Sequence, residues 1–215
     1  AILHYLSSNS TLKFNTTKTQ LSIENFTTIV DDKEKTVTVT GTIINPENIS
    51  TENIEITIKI GEENYTAVIN ENGTFNITTS PLIPDTYPIK IEINQTEYFE
   101  YYNQNLTTVD IEKYTPIINV KQITNATFSI EELIEGNITD SYNQPLSNIS
   151  LSIKIGNETY NIMTDDEGKF TKSINNFIAG INTISITVPE TPYIFLAEYK
   201  TSFIADKQKS KIILD

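Results

Sequence analysis

The feature that most constrains this chain is an internal repeat with a period of 95 residues. Residues 58–61, with the sequence IKIG, recur as residues 153–156. Self-similarity at one fixed period indicates two copies of a single structural unit. Further matches keep the same offset without a gap: Gly41 with Gly136, Tyr65 with Tyr160, Phe75 with Phe170, and Tyr98 with Tyr193.

Each copy of the repeat is predicted to consist of short β-strands with one buried face. Every second residue from 54 to 60 is isoleucine, and residues 149–155 follow the same pattern as Ile, Leu, Ile and Ile. Alternation with a period of two is typical of a strand with one apolar and one wet face. Turn signals such as Asn72-Gly73 separate these runs, and no segment shows a convincing helical period.

Composition favours an all-β fold as well. The 215 residues include 36 Ile, 31 Thr and 7 Val but only 6 Ala. β-branched side chains lose rotamer freedom in a helix and pack well on a pleated sheet. About seven short strands in each repeat predict two tandem Ig-like Greek-key β-sandwich domains. Since the chain contains no cysteine, each core is expected to rely on aliphatic packing without a disulfide.

The repeat also predicts the domain boundaries. Residues 18–113 are expected to form the first Ig-like domain and residues 114–208 the second. Residues 1–17 are interpreted as an N-terminal strand, either the end of a preceding repeat or a donor strand. Residues 209–215 align with residues 114–120, so they are interpreted as the opening strand of a following unit.

The charge of the chain excludes one class of partner. The net charge is −13, and all 15 basic residues are lysine. A nucleic-acid-binding protein needs a cationic face that displaces counterions from phosphate, so no nucleic-acid partner is expected. No run approaches the 18 apolar residues of a membrane-spanning helix, and we predict no membrane insertion in this segment.

The sequence offers little of what a catalytic or metal site needs. Its one histidine is His4 and it has no cysteine, which excludes a His-based triad, a multi-His metal site and a thiol nucleophile. Carboxylates are paired at residues 31–32, 131–132 and 165–166, but adjacent strand residues face opposite ways, whereas a glycosidase needs two facing carboxylates. We therefore predict a protein that is not an enzyme and binds no cofactor.

Two segments admit a binding role beside a structural one. Residues 165–167 (DDE) could supply oxygen ligands to Ca²⁺, but the matching residues 70–72 are NEN, which favours an exposed hairpin turn. Residues 98–102 (YFEYY), matched by residues 193–196 (YIFL), could stack on a sugar. Packing at the end of each sandwich or between domains is the favoured interpretation of this aromatic segment.

Asn-x-Ser/Thr sequons are unusually frequent. The chain has 13, more than twice the roughly five expected from random placement of its 23 Asn and 46 Ser or Thr. The alternative is that both residue types are simply common in a turn-rich β-protein. The candidate glycosylation sites are Asn9, Asn15, Asn25, Asn48, Asn64, Asn72, Asn76, Asn94, Asn105, Asn125, Asn137, Asn148 and Asn157.

The positions of the sequons favour glycosylation over chance. Asn76 lies between Phe75 and Ile77, whose apolar side chains are expected to face the core. Asn64 and Asn137 likewise stand beside residues that are expected to point inward. Because side chains alternate faces along a strand, these asparagines are predicted to point to solvent, where a bulky sugar can be attached.

Residues 136–148 (GNITDSYNQPLSN) and 164–170 (TDDEGKF) carry a family resemblance. They resemble the tandem Ig-like repeats of bacterial and archaeal adhesin-like surface proteins, especially those of methanogenic archaea. The first repeat departs from the motif, because Asn45-Pro46 replaces the Thr-Asp turn and residues 70–73 read NENG. The resemblance implies an extracellular location at the cell surface and a role in display, spacing and adhesion.

These observations predict a structural and adhesive module, a spacer or stalk within a glycosylated cell-surface protein. Its partners would be neighbouring Ig-like domains of the same array or neighbouring subunits, together with a cell-surface or carbohydrate ligand. The alternative is a subunit of an extracellular filament, in which the N-terminal segment is a donor strand that completes the sheet of the next subunit. A third interpretation, a carbohydrate-binding accessory of an enzyme, requires an exposed aromatic platform.

Overall fold

The computed structural model describes residues 17–209 of the chain. Between these residues it contains fifteen β-strands and no helix, so the prediction of an all-β protein is confirmed. Contacts divide the described residues into two compact units. Unit 1 comprises residues 17–31, 36–81 and 86–109, and unit 2 comprises residues 32–35, 82–85 and 110–209.

Unit 1 is built on seven strands in two sheets. One sheet has the order β1-β2-β5 and the other the order β4-β3-β6-β7. Because the chain passes from β2 in one sheet to β3 in the other and returns with β5, the connections follow the expected Greek-key pattern. The strands are β1 (Ser22–Asp31), β2 (Thr36–Ile44), β3 (Glu55–Ile60), β4 (Glu63–Val68), β5 (Thr74–Thr78), β6 (Thr86–Ile93) and β7 (Tyr102–Asp110).

The core of unit 1 follows from the alternation in its sequence. Burial alternates strictly along β2, where the valines point inward and the threonines lie on the outer side. The isoleucines of β3 are buried, and Ile58 lies opposite the buried Ile91 of β6. Removing these aliphatic side chains from water supplies the main driving force for folding, at about 1.5–3 kcal/mol for each fully buried residue.

Unit 2 repeats this architecture with one additional short strand. Its sheets have the orders β13-β10-β8 and β12-β11-β14-β15-β9. Its buried cluster contains two isoleucines of β11 and two of β14 together with three phenylalanines: Ile153, Ile155, Ile184, Ile186, Phe170, Phe177 and Phe203. The strands are β8 (Ile117–Val120), β9 (Ala126–Thr127), β10 (Glu132–Thr139), β11 (Ser150–Ile155), β12 (Glu158–Met163), β13 (Lys169–Ile174), β14 (Gly180–Val188) and β15 (Ala197–Asp206).

Unit 2 contains one strand that the sequence did not predict, and the last strands of both units have weak alternation at their start. In unit 2 the short β9 pairs in parallel with β15, where Ala126 lies opposite Ala205, and no sequence signal indicated this strand. The last strands of the two units, β7 and β15, begin at Tyr102 and Ala197. The first four residues of each are exposed or only partly buried, and hydrophobic alternation there is correspondingly weak.

One backbone contact recurs in both units at the repeat offset. Thr19 forms a parallel bridge with Phe99, and Tyr114 forms the same bridge with Ile194. In unit 2 the hydroxyl oxygen of Thr191 accepts hydrogen bonds from the backbone N–H groups of residues 193 and 194. Thr96 accepts the corresponding pair in unit 1. This repeat of a loop contact is consistent with two copies of one structural unit.

Candidate functional site

Eleven of the thirteen sequon asparagines lie within the described residues, and they occupy the surface. Ten of the eleven are exposed, and Asn137 is half-buried. Asn76 on β5 illustrates the arrangement, because its neighbours Phe75 and Ile77 are buried while its own side chain faces solvent. Asn9 and Asn15, together with His4 and the rest of the N-terminal segment, lie outside the described residues.

Two asparagines that hold the backbone of a loop and are half-buried or buried, Asn45 and Asn182, are not sequons, whereas the exposed sequon Asn72 also accepts a hydrogen bond from the N–H of Thr74. The side chain of Asn182 is buried, accepts a hydrogen bond from the N–H of Ile178 and donates to the carbonyl oxygens of Ile178 and Gly180. The side chain of Asn45 spans its loop, because its Oδ1 accepts a hydrogen bond from the N–H of Ile49 and its Nδ2 donates one to the carbonyl oxygen of Ile49. Neither asparagine has Ser or Thr two residues later, as a sequon needs, because residue 47 is Glu and residue 184 is Ile.

Acidic residues in segments 136–148 and 164–170 stabilise turns through hydrogen bonds to the backbone. Asp140 is buried, and its Oδ1 accepts hydrogen bonds from the N–H groups of Tyr142 and Gln144, both at 2.8 Å. An Asx turn of this kind satisfies two backbone donors with one side chain. In unit 1 the matching residue is Asn45, whose amide closes its loop in a similar way. The departure of unit 1 from the Thr-Asp motif therefore preserves the structural role.

The acidic hairpin at residues 165–167 is organised in the same way. Oδ1 of Asp165 accepts hydrogen bonds from the N–H groups of Glu167 and Lys169, and Gly168 takes a left-handed conformation with φ of 72°. Glu167 pairs with the ammonium group of Lys169. These contacts agree with the interpretation as a hairpin turn. Among residues 17–209, no group of three or more His, Cys, Asp or Glu is placed to hold a metal ion.

The aromatic segment is divided between core and surface. Phe99 and Ile194 are buried, and for these two residues the prediction of packing is confirmed. Tyr102 is partly buried, and for the other members packing at a sandwich end or between domains stays a prediction. The exposed members are Tyr98, Tyr101, Tyr193, Phe195 and Leu196.

A charged cluster lies on the outer side of the four-stranded sheet of unit 1. Glu92 on β6 forms ion pairs with Lys90 at 2.8 Å and with Lys59 at 3.0 Å. The hydrogen bond from Lys90, followed by that from Lys59, holds the pKa of the Glu92 carboxyl below its ordinary value. The same contact raises the pKa of Lys90. This partly exposed cluster has the character of a solvated ion-pair network.

Comparison with solved structures agrees with the sandwich architecture. Invasin, a bacterial integrin-binding protein, matches with a TM-score of 0.52 at 13% identity, over 88% of this chain and 40% of the invasin chain. At this identity the likeness is one of fold. It supports the prediction of tandem Ig-like β-sandwich domains, while the specifically archaeal type of repeat stays a prediction.

Two further structures match with lower TM-scores. A Ca²⁺-stabilised adhesin of an Antarctic bacterium gives 0.35 at 16% identity, over 90% of this chain and 50% of that chain. The fibronectin(III)-like modules of Clostridium thermocellum CbhA give 0.37 at 10% identity, over 90% and 100%. The chain thus spans about half the length of the Antarctic adhesin structure. No family model and no curated protein matches the sequence.

No helix among residues 17–209 is long and apolar enough to cross a membrane.

Proposed function

We propose that this chain is an extracellular structural module, a spacer or stalk in a glycosylated, adhesin-like protein of the cell surface. Its two tandem domains are residues 18–113 and 114–208. The observation that carries the proposal is the distribution of asparagines. Ten of eleven described sequon asparagines are exposed, whereas Asn45 and Asn182, which hold loops, are not sequons.

The roles of two acidic side chains fit a scaffold better than an enzyme. The buried Asp140 and the hairpin residue Asp165 accept hydrogen bonds from their own turns. A catalytic carboxylate is instead expected in a cleft, with a perturbed pKa and a partner group facing it. Both units repeat one architecture, as modules that set a spacing do. We therefore propose a non-enzymatic role, with an adhesive ligand bound either here or elsewhere in the same protein.

The decisive experiment is site-resolved mass spectrometry on the protein isolated from its own source, combined with antibody labelling of intact cells. The proposal predicts sugar on the exposed sequons and labelling without permeabilisation. Unmodified peptides at every sequon, or labelling only after permeabilisation, would contradict it. Negative-stain images then separate the stalk from the filament alternative, because a stalk gives monodisperse particles and a donor-strand subunit gives ordered polymers.

A further inference from the structure

The sheet topology of unit 1 shows where its strand sequons lie. In the sheet β1-β2-β5 the edge strands among the described residues are β1 and β5, and in β4-β3-β6-β7 they are β4 and β7. Each of these four edge strands contains one exposed sequon asparagine. The interior strands β2, β3 and β6 contain none. The four edge sequons are Asn25 on β1, Asn64 on β4, Asn76 on β5 and Asn105 on β7.

An edge strand exposes a row of unpaired backbone N–H and C=O groups, which can pair with another chain. Proteins commonly block such edges with lysine, proline or very short strands. The four edge strands of unit 1 contain no lysine and no proline, and β1 and β7 are 10 and 9 residues long. These edges therefore lack the protection that lysine, proline or a very short strand provides.

Three of the four edge strands of unit 2 are protected by other means, whereas the fourth, β12, has six residues and neither lysine nor proline. Its edge strand β13 carries Lys169 and Lys172, and its edge strands β8 and β9 have only 4 and 2 residues. None of its edge strands contains a sequon asparagine. The positions that match the four edge sequons of unit 1 at the repeat offset are Val120, Thr159, Thr171 and Lys200.

We propose that the N-glycans of Asn25, Asn64, Asn76 and Asn105 block strand addition to the edges of unit 1. Pairing between two copies of an edge brings cross-strand side chains to within about 4.5–5.5 Å at Cβ. Two glycosylated asparagines cannot approach so closely, because each carries a bulky, hydrated sugar. In β1 a bulge adds to the effect of the glycan. Asn25 lies at this bulge with φ of 51°, where the register of the strand is interrupted.

This inference rests on the proposed glycosylation. The donor is an activated oligosaccharide with a pyrophosphate leaving group. The C1–O bond of its first sugar breaks and its electron pair leaves with the pyrophosphate, while the bond from Nδ2 of asparagine to C1 forms and the amide proton passes to the departing pyrophosphate or to solvent. No other co-reactant is required. The products are an N-linked glycan on each of the four exposed edge asparagines and the free pyrophosphate compound.

The test compares three variants of the full chain, made in a host shown by mass spectrometry to glycosylate the wild-type protein. The edge variant is N25Q/N64Q/N76Q/N105Q. The loop variant N48Q/N72Q/N94Q/N148Q removes the same number of glycans from positions between strands, and it also includes residues with positive φ. The lysine variant N25K/N64K/N76K/N105K removes the edge glycans but installs a charge that blocks edges.

Sedimentation velocity and thioflavin fluorescence are measured on each protein, with circular dichroism to confirm folding. We expect the edge variant to lose its monomer peak and form β-rich assemblies, while the loop and lysine variants stay monomeric. Endoglycosidase trimming of the folded wild-type protein, which leaves each asparagine and its first sugar in place, is expected to cause the same association as the edge variant, and this covers the case of a variant that fails to fold.

The outcomes separate this inference from the proposed function. If the edge sequons are occupied and their loss leaves the protein as monomeric as the loop variant, the inference is wrong and the glycosylated module stands. If only loop sequons are occupied, the inference is also wrong on its own. If no sequon is occupied in protein from its source, both are overturned.

Discussion

The ring of Phe170 fills the space that a side chain at Gly136 would need. The two residues lie opposite each other on β10 and β13. A Cβ atom on Gly136 would be 2.5 Å from Cζ of Phe170 and 2.3 Å from the backbone oxygen of Asn119. Gly41 and Phe75 form the same pair in unit 1, with a hypothetical Cβ 2.8 Å from the ring. The repeated Gly and Phe are therefore one packing unit.

We expect Gly136→Ala to destabilise the protein more than Gly41→Ala. Overpacking of a core costs about 1–3 kcal/mol, and the clash at Gly136 includes a backbone atom that cannot move aside like a ring. At Gly41 the near contact is the ring of Phe75 alone. Denaturant unfolding measures both changes. The double variant G41A/F75L should lose less stability than the single variants G41A and F75L lose together. A loss equal to that sum would contradict the packing explanation.

Asp140→Ala is expected to lower the free energy of unfolding by about 1–3 kcal/mol, because two backbone N–H groups lose a buried acceptor. Asp140→Asn is the matched control. Its amide oxygen can accept the same bonds, and the corresponding Asn45 already holds the loop of unit 1. Thermal unfolding compares the two variants. Equal loss in both would show that the charge, rather than the turn geometry, stabilises this loop.

Thr191→Ala is expected to cost about 1 kcal/mol, since the hydroxyl oxygen accepts two backbone hydrogen bonds ahead of the buried Ile194. Thr191→Ser should restore most of this stability because it keeps the hydroxyl group. Hydrogen exchange at the N–H of residue 194 reports the local effect. The result would count against the assignment if alanine and serine variants exchanged at the same rate.

The Glu92 cluster predicts a dependence of stability on pH. Lys90 and Lys59 lower the pKa of the folded carboxyl, so its contribution is present above the unfolded pKa and is lost as the pH falls through the folded pKa. We expect Glu92→Gln to destabilise by less than about 1 kcal/mol near neutral pH, because the pairs are partly exposed. The difference from wild type should vanish in strong acid and shrink at high salt. Unfolding at several pH values measures it, and a difference that persisted in acid would disprove the electrostatic origin.

Much of the fold was predictable because its information is local. Alternating isoleucines indicated which side chains of β3 and β11 face the core, and burial follows that alternation. The aromatic segment was harder, because its assignment depended on a bridge between distant residues. Phe99 is turned inward by its partner Thr19, and nothing near Tyr98 or Tyr101 in the sequence marks them as exposed.

The sequence by itself determined the repeat, the strands, their inward faces and the position of every sequon. These are properties of single residues and of their spacing along the chain. Only the tertiary structure decided that β1, β4, β5 and β7 are edges, since strand order depends on hydrogen bonds between segments far apart in sequence. The coincidence of one sequon with each edge of unit 1 therefore became visible only in the folded chain.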